Sequence, residues 1–181
     1  MTDALERFVE PAIVISQFHI RPDDTVADFG AGRGYFLAPL AAAVGANGVV
    51  YALEIQKNLV EAMGEQVRSE NLGVVQVLWS DIEEPNGSTL PNGSVDVGIL
   101  VNTLFQCDDK AATLTELVRT LRSGGKLCVI DWSESFNNLG PTPEAVVSAQ
   151  AARSLAESAG LTYERDFQSG AHHYGLAFRK P

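Results

Sequence analysis

A chain of 181 residues, 45% hydrophobic and 20% charged, suits one globular domain with a real core, and it carries no internal repeat or low-complexity segment. No apolar run approaches the roughly 20 residues that span a bilayer, and the first residues lack a basic region followed by an apolar stretch, so neither a membrane segment nor a secretory leader is expected. With 23 acidic residues against 13 Lys or Arg, the net charge of −10 argues against a protein that gains affinity by neutralising nucleic-acid phosphates.

In chain order, apolar residues at three- and four-residue steps predict a helix from about Thr2 to Phe18, with Leu5, Phe8, Val9, Ile13 and Phe18 recurring along it and a kink or a split at Pro11. Arg21-Pro22-Asp23-Asp24 reads as a turn. Thr25–Phe29 reads as a buried strand, a glycine cluster follows, and Tyr35–Val44 reads as a helix. Val49–Leu53 is strand-like and Gln56–Ser69 helix-like, closed by Asn71-Leu72-Gly73. Val74–Leu78 is a third strand, Ser80–Ser94 a polar loop and Val95–Val101 a fourth strand. Lys110–Leu121 is a helix stopped at Ser123-Gly124-Gly125, and Lys126–Ile130 is a fifth strand. Ser133–Pro143 is a loop and Pro143–Ala159 a helix. Leu161–Phe167 and Tyr174–Phe178 form a closing antiparallel hairpin across Gln168–Ala171. Continuous apolar strands between amphipathic helices predict an α/β, Rossmann-like, doubly wound sheet, made mixed by its last strand.

The informative segment is Asp28-Phe29-Gly30-Ala31-Gly32-Arg33-Gly34-Tyr35. Glycines between a strand and a helix permit a tight turn and let a ligand approach the backbone. Glu54 ends the second strand, where its carboxylate can accept hydrogen bonds from two ribose hydroxyls. A dinucleotide site requires glycine at position 35, which is Tyr35 here. Asp28 would repel a pyrophosphate but suits a cationic amino-acid ligand. S-adenosylmethionine, with its ammonium and sulfonium, meets both conditions. The alternatives are a nicotinamide site or a glycine turn that binds nothing.

On these residues the chain resembles the class I S-adenosylmethionine-dependent methyltransferases, most of all the small metabolite-type members that share a core with the quinone-biosynthesis methylases. The resemblance runs from about Phe18 to Arg179. Asp28 to Gly34 match the family's first motif, Glu54 its ribose-binding acid, and Ser80-Asp81-Ile82 the segment that holds adenine. Asn92–Val97 match the lead into the fourth strand, and Leu121–Leu127 the turn into the fifth. Asn102, with Thr103 and Leu104, falls where the fourth strand's end meets the methionine part. The resemblance implies a seven-stranded sheet in the order 3-2-1-4-5-7-6 with the last strand antiparallel. It also implies cofactor contacts from Asp28, Gly30, Ala31, Gly32, Gly34, Glu54, Ile55, Asp81, Ile82 and Asn102, and S-adenosylhomocysteine as product. Arg33 departs from the family's usual small residue and is read as facing solvent, with pairing to the ligand's carboxylate as the alternative.

Ligands of such sheets bind beyond the carboxyl ends of the parallel strands. That places Asp131, Trp132 and the hairpin residues His172 and His173 near an acceptor, with Tyr35, Phe105 and Trp132 as candidate pocket aromatics. One of the two histidines is the candidate general base; adjacent strand residues face opposite sides, so at most one enters a given pocket. The N-terminal segment 1–22 is expected to cap a methyltransferase domain of residues 23–181, together with the loop Ser133–Pro143. Asp108-Asp109 reads as a helix start and not as a metal site, and no metal is expected. Cys107 and Cys128 have neither metal-ligand nor disulfide spacing and are read as reduced thiols of a cytoplasmic protein. The expected partner is a small-molecule methyl acceptor, with no membrane and no nucleic acid, in a monomer or homodimer. A protein or RNA acceptor, or a cofactor-binding module without turnover, are the alternatives. Asn102-Thr103-Leu104-Phe105 lacks the Pro-Pro-aromatic run of base-directed amino-methylating relatives, which argues against a DNA base.

Overall fold

The computed structural model describes residues 9–137 and 139–181. Its sheet has seven strands: β1 (Thr25–Phe29), β2 (Val49–Glu54), β3 (Val75–Trp79), β4 (Val95–Val101), β5 (Leu121–Trp132), β6 (Thr162–Phe167) and β7 (His173–Arg179). They lie in the order β3-β2-β1-β4-β5-β7-β6. The first five pair in parallel, while β7 runs antiparallel to both β5 and β6. The order and mixed direction are those expected from the sequence.

Helices cover both faces. α1 (Pro11–Val14), α2 (Leu37–Val44) and α3 (Lys57–Ser69) bury Val14, Leu37, Leu40 and Met63 against Val26, Val50, Ile99 and Ile130. α4 (Lys110–Thr120) and α5 (Ala149–Ser158) bury Leu114, Leu117, Ala152 and Ala156 against Phe29, Leu100, Val129 and Phe178. The two-residue period of each strand sorts its side chains between these layers. Along β1, Asp28 shares the face of Val26, toward α2. Along β5, Ile130 and Trp132 share that face, while Asp131 points with Val129 toward α4 and α5. Among the described residues no helix is long and apolar enough to cross a membrane.

Three local expectations are corrected. Of the two outcomes at Pro11 the structure has the split and not the kink: Glu10 is extended and Pro11 opens α1, where a proline removes no helical hydrogen bond. The chain then tightens into a 3-10 turn at Ile15–Phe18 that ends at His19 with φ 51°; Leu5 and Phe8 of the expected helix lie outside the described residues. Ser123-Gly124-Gly125 does not stand between helix and strand. Leu121 is already extended and paired with Val95, and the register shifts before Lys126 meets Val97. The glycine pair therefore bulges β5, tied to the last residues by Gly124 N–H on Lys180 O at 2.8 Å and Lys180 N–H on Gly125 O at 2.9 Å. The expected helix over 143–159 is two pieces, a 3-10 turn at Pro143–Ala145 and α5, because Ser148 is extended and its hydroxyl caps Ala151 N–H at 3.2 Å.

Candidate active site

The carboxyl ends of β1, β2, β4 and β5 bring together Asp28, Glu54, Asn102 and Trp132. The glycine turn between β1 and α2 lies across these ends. Gly30 and Ala31 both donate to Leu53 O at 2.9 Å, which ties the turn to β2. Glu54 is 6% exposed and holds the same turn from its side chain: Oε2 accepts Gly32 N–H and Oε1 accepts Gln56 N–H, each at 2.9 Å. Each oxygen keeps lone-pair capacity for a ligand hydroxyl. Gly30 has φ 80°, and a Cβ there would lie 2.5 Å from Thr103 Cγ2, so both backbone and space require glycine. Thr103 comes from the turn after β4; its hydroxyl, 3.0 Å from Val101 O and 3.4 Å from Gly30 O, packs the two turns together.

Two cavities meet at this turn. The first, of about 370 Å³, runs from the glycines past Glu54, Ile55 and Leu59 to Ser80, Asp81 and Ile82. Its far wall is acidic: Asp81 Oδ1 accepts Glu83 N–H at 3.0 Å and keeps its other oxygen for a donor. The second, of about 620 Å³, has largely apolar walls, among them Val9, Tyr35, Phe36, Val101, Trp132 and Leu139. Gly30, Gly32 and Gln106 line both.

Beside Arg33 and Gln106, the second cavity is lined by Asp28, Asn102 and His173. Asp28 is buried away from solvent, and burial, reinforced by the nearby Glu54 charge, pushes its carboxyl up to about 7. Asn102 sits in the left-handed region at φ 53°, and its Oδ1 is buried with no hydrogen-bond partner among the described residues. His173 pairs with Trp132 across β5 and β7, its ring 4.3 Å from the indole. His173 Nδ1 lies 2.7 Å from Ala171 O, which accepts only a proton-bearing nitrogen, so Nε2 carries the lone pair of the neutral ring. Burial, and secondarily the neighbouring His172, keep His173 below the usual histidine range, although its bond to Ala171 O works the other way.

Most sequence candidates thus line these cavities: Gly30, Gly32, Glu54, Ile55, Asp81 and Ile82 the first, and Asp28, Ala31, Tyr35, Asn102, Trp132 and His173 the second. Three do not. Gly34 packs inward against Met63 and Gln66 of α3. Phe105 leaves the site because the 3-10 turn Leu104–Gln106 aims Gln106 at the cavities and Phe105 at a cleft beside α5. His172 precedes β7 at φ 62° and turns outward, stacked on Phe136 at 3.8 Å and 2.7 Å from Glu134 Oε1. Asp131 is also displaced from the cavities; on the opposite face of β5 its Oδ2 accepts Phe105 N–H at 3.0 Å, and burial raises its carboxyl to about 6. Thr103 was read beside Asn102 at the end of the fourth strand, whereas Gln106, Leu139 and Gly140 were missed. Gln106 lies four residues beyond Asn102, a position that could have flagged it; Leu139 and Gly140 lie in the loop expected as a cover, but nothing in the sequence singles them out. Asp109 caps α4 by accepting Ala112 N–H at 2.9 Å, and among the described residues no group of His, Cys, Asp or Glu is set to hold a metal.

A family model described as a methyltransferase domain matches residues 27–129. A crystal structure of an S-adenosylmethionine-dependent methyltransferase from Aquifex aeolicus superposes with a TM-score of 0.86 at 30% identity, covering 94% of this chain and 89% of that one. The ubiquinone/menaquinone biosynthesis C-methyltransferase UbiE of Pasteurella multocida is 30% identical over 77% of this chain and 56% of its own length. Nocamycin O-methyltransferase of Saccharothrix syringae is 27% identical over 86% of this chain and 55% of its own. The chain spans about half the length of these two curated relatives.

Proposed function

The chain belongs to the methyltransferase domain family, and on that premise we propose that it binds S-adenosylmethionine with the adenosine in the first cavity and the methionine end reaching Asp28 and Asn102 at the edge of the second, and directs its methyl group to a small-molecule acceptor in the rest of the second. The observation that carries this reading is the shared wall: Gly30, Gly32 and Gln106 border both cavities, so ligands in the two meet at one place. The donor set fits the cofactor. Glu54 suits a ribose diol and Asp81 an exocyclic amine, while buried Asp28 and the orphaned Asn102 Oδ1 suit the ammonium end. When bound, S-adenosylmethionine supplies an electrophilic methyl group on a sulfonium and leaves as S-adenosylhomocysteine.

The rest falls to this chain's residues. Trp132 and Tyr35 offer aromatic faces that hold an acceptor in place and favour nearby positive charge. The described part of the N-terminal segment, residues 9–22, caps the second cavity, with Val9 and Pro11 on one side and Leu139 on the other, and excludes water. His173 is the general base: Nε2 takes the proton of an acceptor hydroxyl, amine or acidic carbon, and burial keeps the ring neutral for that work. The protein acts as a cytoplasmic enzyme, monomer or homodimer, without nucleic-acid partners.

Transfer of a labelled methyl group into fractionated lysate tests this reading. Label should appear in a small-molecule fraction. His173→Ala should lower turnover at unchanged cofactor affinity, and His172→Ala should leave turnover intact. Label confined to protein or RNA would overturn the acceptor class, and full turnover in His173→Ala would remove the base.

A further inference from the structure

Among the described residues, the walls of the second cavity carry one cationic side chain, Arg33, between two glycines of the turn. Arg33 is exposed at the cavity and makes no hydrogen bond or ion pair with any described residue. With 23 acidic residues against 13 Lys or Arg, a cation in this chain has carboxylates to spare. Arg119, Arg122, Arg153 and Arg179 are each paired with one. Among the described residues the side chains of Arg21 and Arg68 also make no ion pair, but neither lines either of these two cavities. Around Arg33 the cavity is aromatic and aliphatic, and Tyr35 and Leu139 remain 71% and 49% exposed there. Large apolar side chains left uncovered beside a cavity are the surface that a ligand's apolar body would bury.

Resting on the methyltransferase reading above, we propose that the acceptor is an aromatic carboxylate, its ring against Trp132 and Tyr35 and its carboxylate on the Arg33 guanidinium. The planar guanidinium matches a carboxylate with two parallel N–H donors. Asp28, the acid of this cavity, lies buried at the end of β1, whereas Arg33 is exposed to solvent, so an acceptor can reach the cation from the open side. The net charge of −10 opposes an anion at long range but is largely screened beyond about 8–10 Å at physiological salt, while a direct pair is not.

Calorimetric titration of the protein saturated with S-adenosylhomocysteine tests the assignment, using 1-naphthoate and its neutral counterpart 1-naphthalenemethanol. Naphthoate should bind about fivefold or more tightly than the alcohol, the difference expected of one partly exposed ion pair. Arg33→Ala should erase that preference at unchanged affinity for the alcohol, and Arg33→Lys should restore part of it. Equal affinity of the two probes in the unsubstituted protein, or binding of neither, overturns the proposal. So does an Arg33→Ala variant that weakens S-adenosylhomocysteine and leaves naphthoate untouched, since Arg33 would then serve the cofactor. Failure of S-adenosylhomocysteine itself to bind strikes the methyltransferase reading, and is seen separately in the first titration.

Discussion

Asp28 concentrates the chemistry of the site in one carboxyl group. In the free protein burial and the Glu54 charge raise it to about 7 from 3.8. An acid raised by folding holds its proton more tightly in the folded state. Its contribution to stability is therefore complete below the unfolded value near 3.8 and is lost as pH rises through about 7. A cationic ligand reverses the preference by favouring the carboxylate. S-adenosylmethionine should accordingly bind with release of a proton, and affinity should fall below neutrality, being ~10-fold weaker near pH 6 than above pH 8 if only the ionised form binds. Calorimetry in two buffers of different ionisation enthalpy measures the released proton. Asp28→Asn should bind more weakly at high pH and lose the pH dependence. A retained dependence in that variant would place the titrating group elsewhere.

Among the elements, the loop between β3 and β4 depends most on one distant contact. It carries Ser80, Asp81 and Ile82 into the first cavity, and its middle is held by Glu116 of α4. Glu116, 4% exposed, accepts the backbone N–H groups of Asn86 and Ser88 at 3.0 Å and pairs with Arg119 at 2.7 Å. Burial works against its charge, but the bonds from Arg119, Ser88 and Asn86 outweigh it and hold the carboxyl at about 2. The sign is opposite to that of Asp28: this stabilisation is present above the unfolded value of 4.5 and disappears as pH falls toward 2. Glu116→Ala should cost about 2–4 kcal/mol, because a buried N–H of Ser88, a partly buried N–H of Asn86 and the Arg119 guanidinium lose their acceptor. Denaturant unfolding at pH 7 and pH 3 checks it; the penalty should shrink at the lower pH. A penalty equal at both would mean that packing, not charge, holds the loop. Loss of the clamp should also weaken S-adenosylhomocysteine, since Asp81 rides on the same loop.

For the whole molecule, the cavities lie where separate strands end together, so a ligand there ties β1, β2 and β4 to one another and binds only the folded chain. Saturation at about 100 times Kd adds ~2.7 kcal/mol. For a chain of 181 residues this should raise Tm by about 5–10 °C. S-adenosylhomocysteine should produce that shift in a thermal melt, and NAD at the same concentration should not, because Tyr35 stands where a dinucleotide site requires its third glycine. A shift with NAD and none with the adenosyl ligand would overturn the cofactor reading.

Strand and helix order, the direction of the last strand and the end of the sheet where the two cavities lie were legible in the chain itself. Each rests on a short-range pattern: the apolar runs of β1 and β4, the glycines at 30, 32 and 34, and the acid at the end of β2. Such patterns act over a few residues, so local sterics and hydrogen bonding decide them. What depended on direction was not legible. His172 and His173 are equivalent in sequence, yet pairing with Trp132 turns one into the cavity while a left-handed backbone turns the other outward. Asp131 and Trp132 part in the same way, on opposite faces of one strand. Phe105, expected in the pocket, gives way there to Gln106 because a single 3-10 turn sets which side chain faces the site. The Glu116 clamp and the solitary charge of Arg33 are properties of groups far apart in the chain, 28 residues between Ser88 and Glu116. Only the folded sheet brings such groups within reach of one another or keeps them apart.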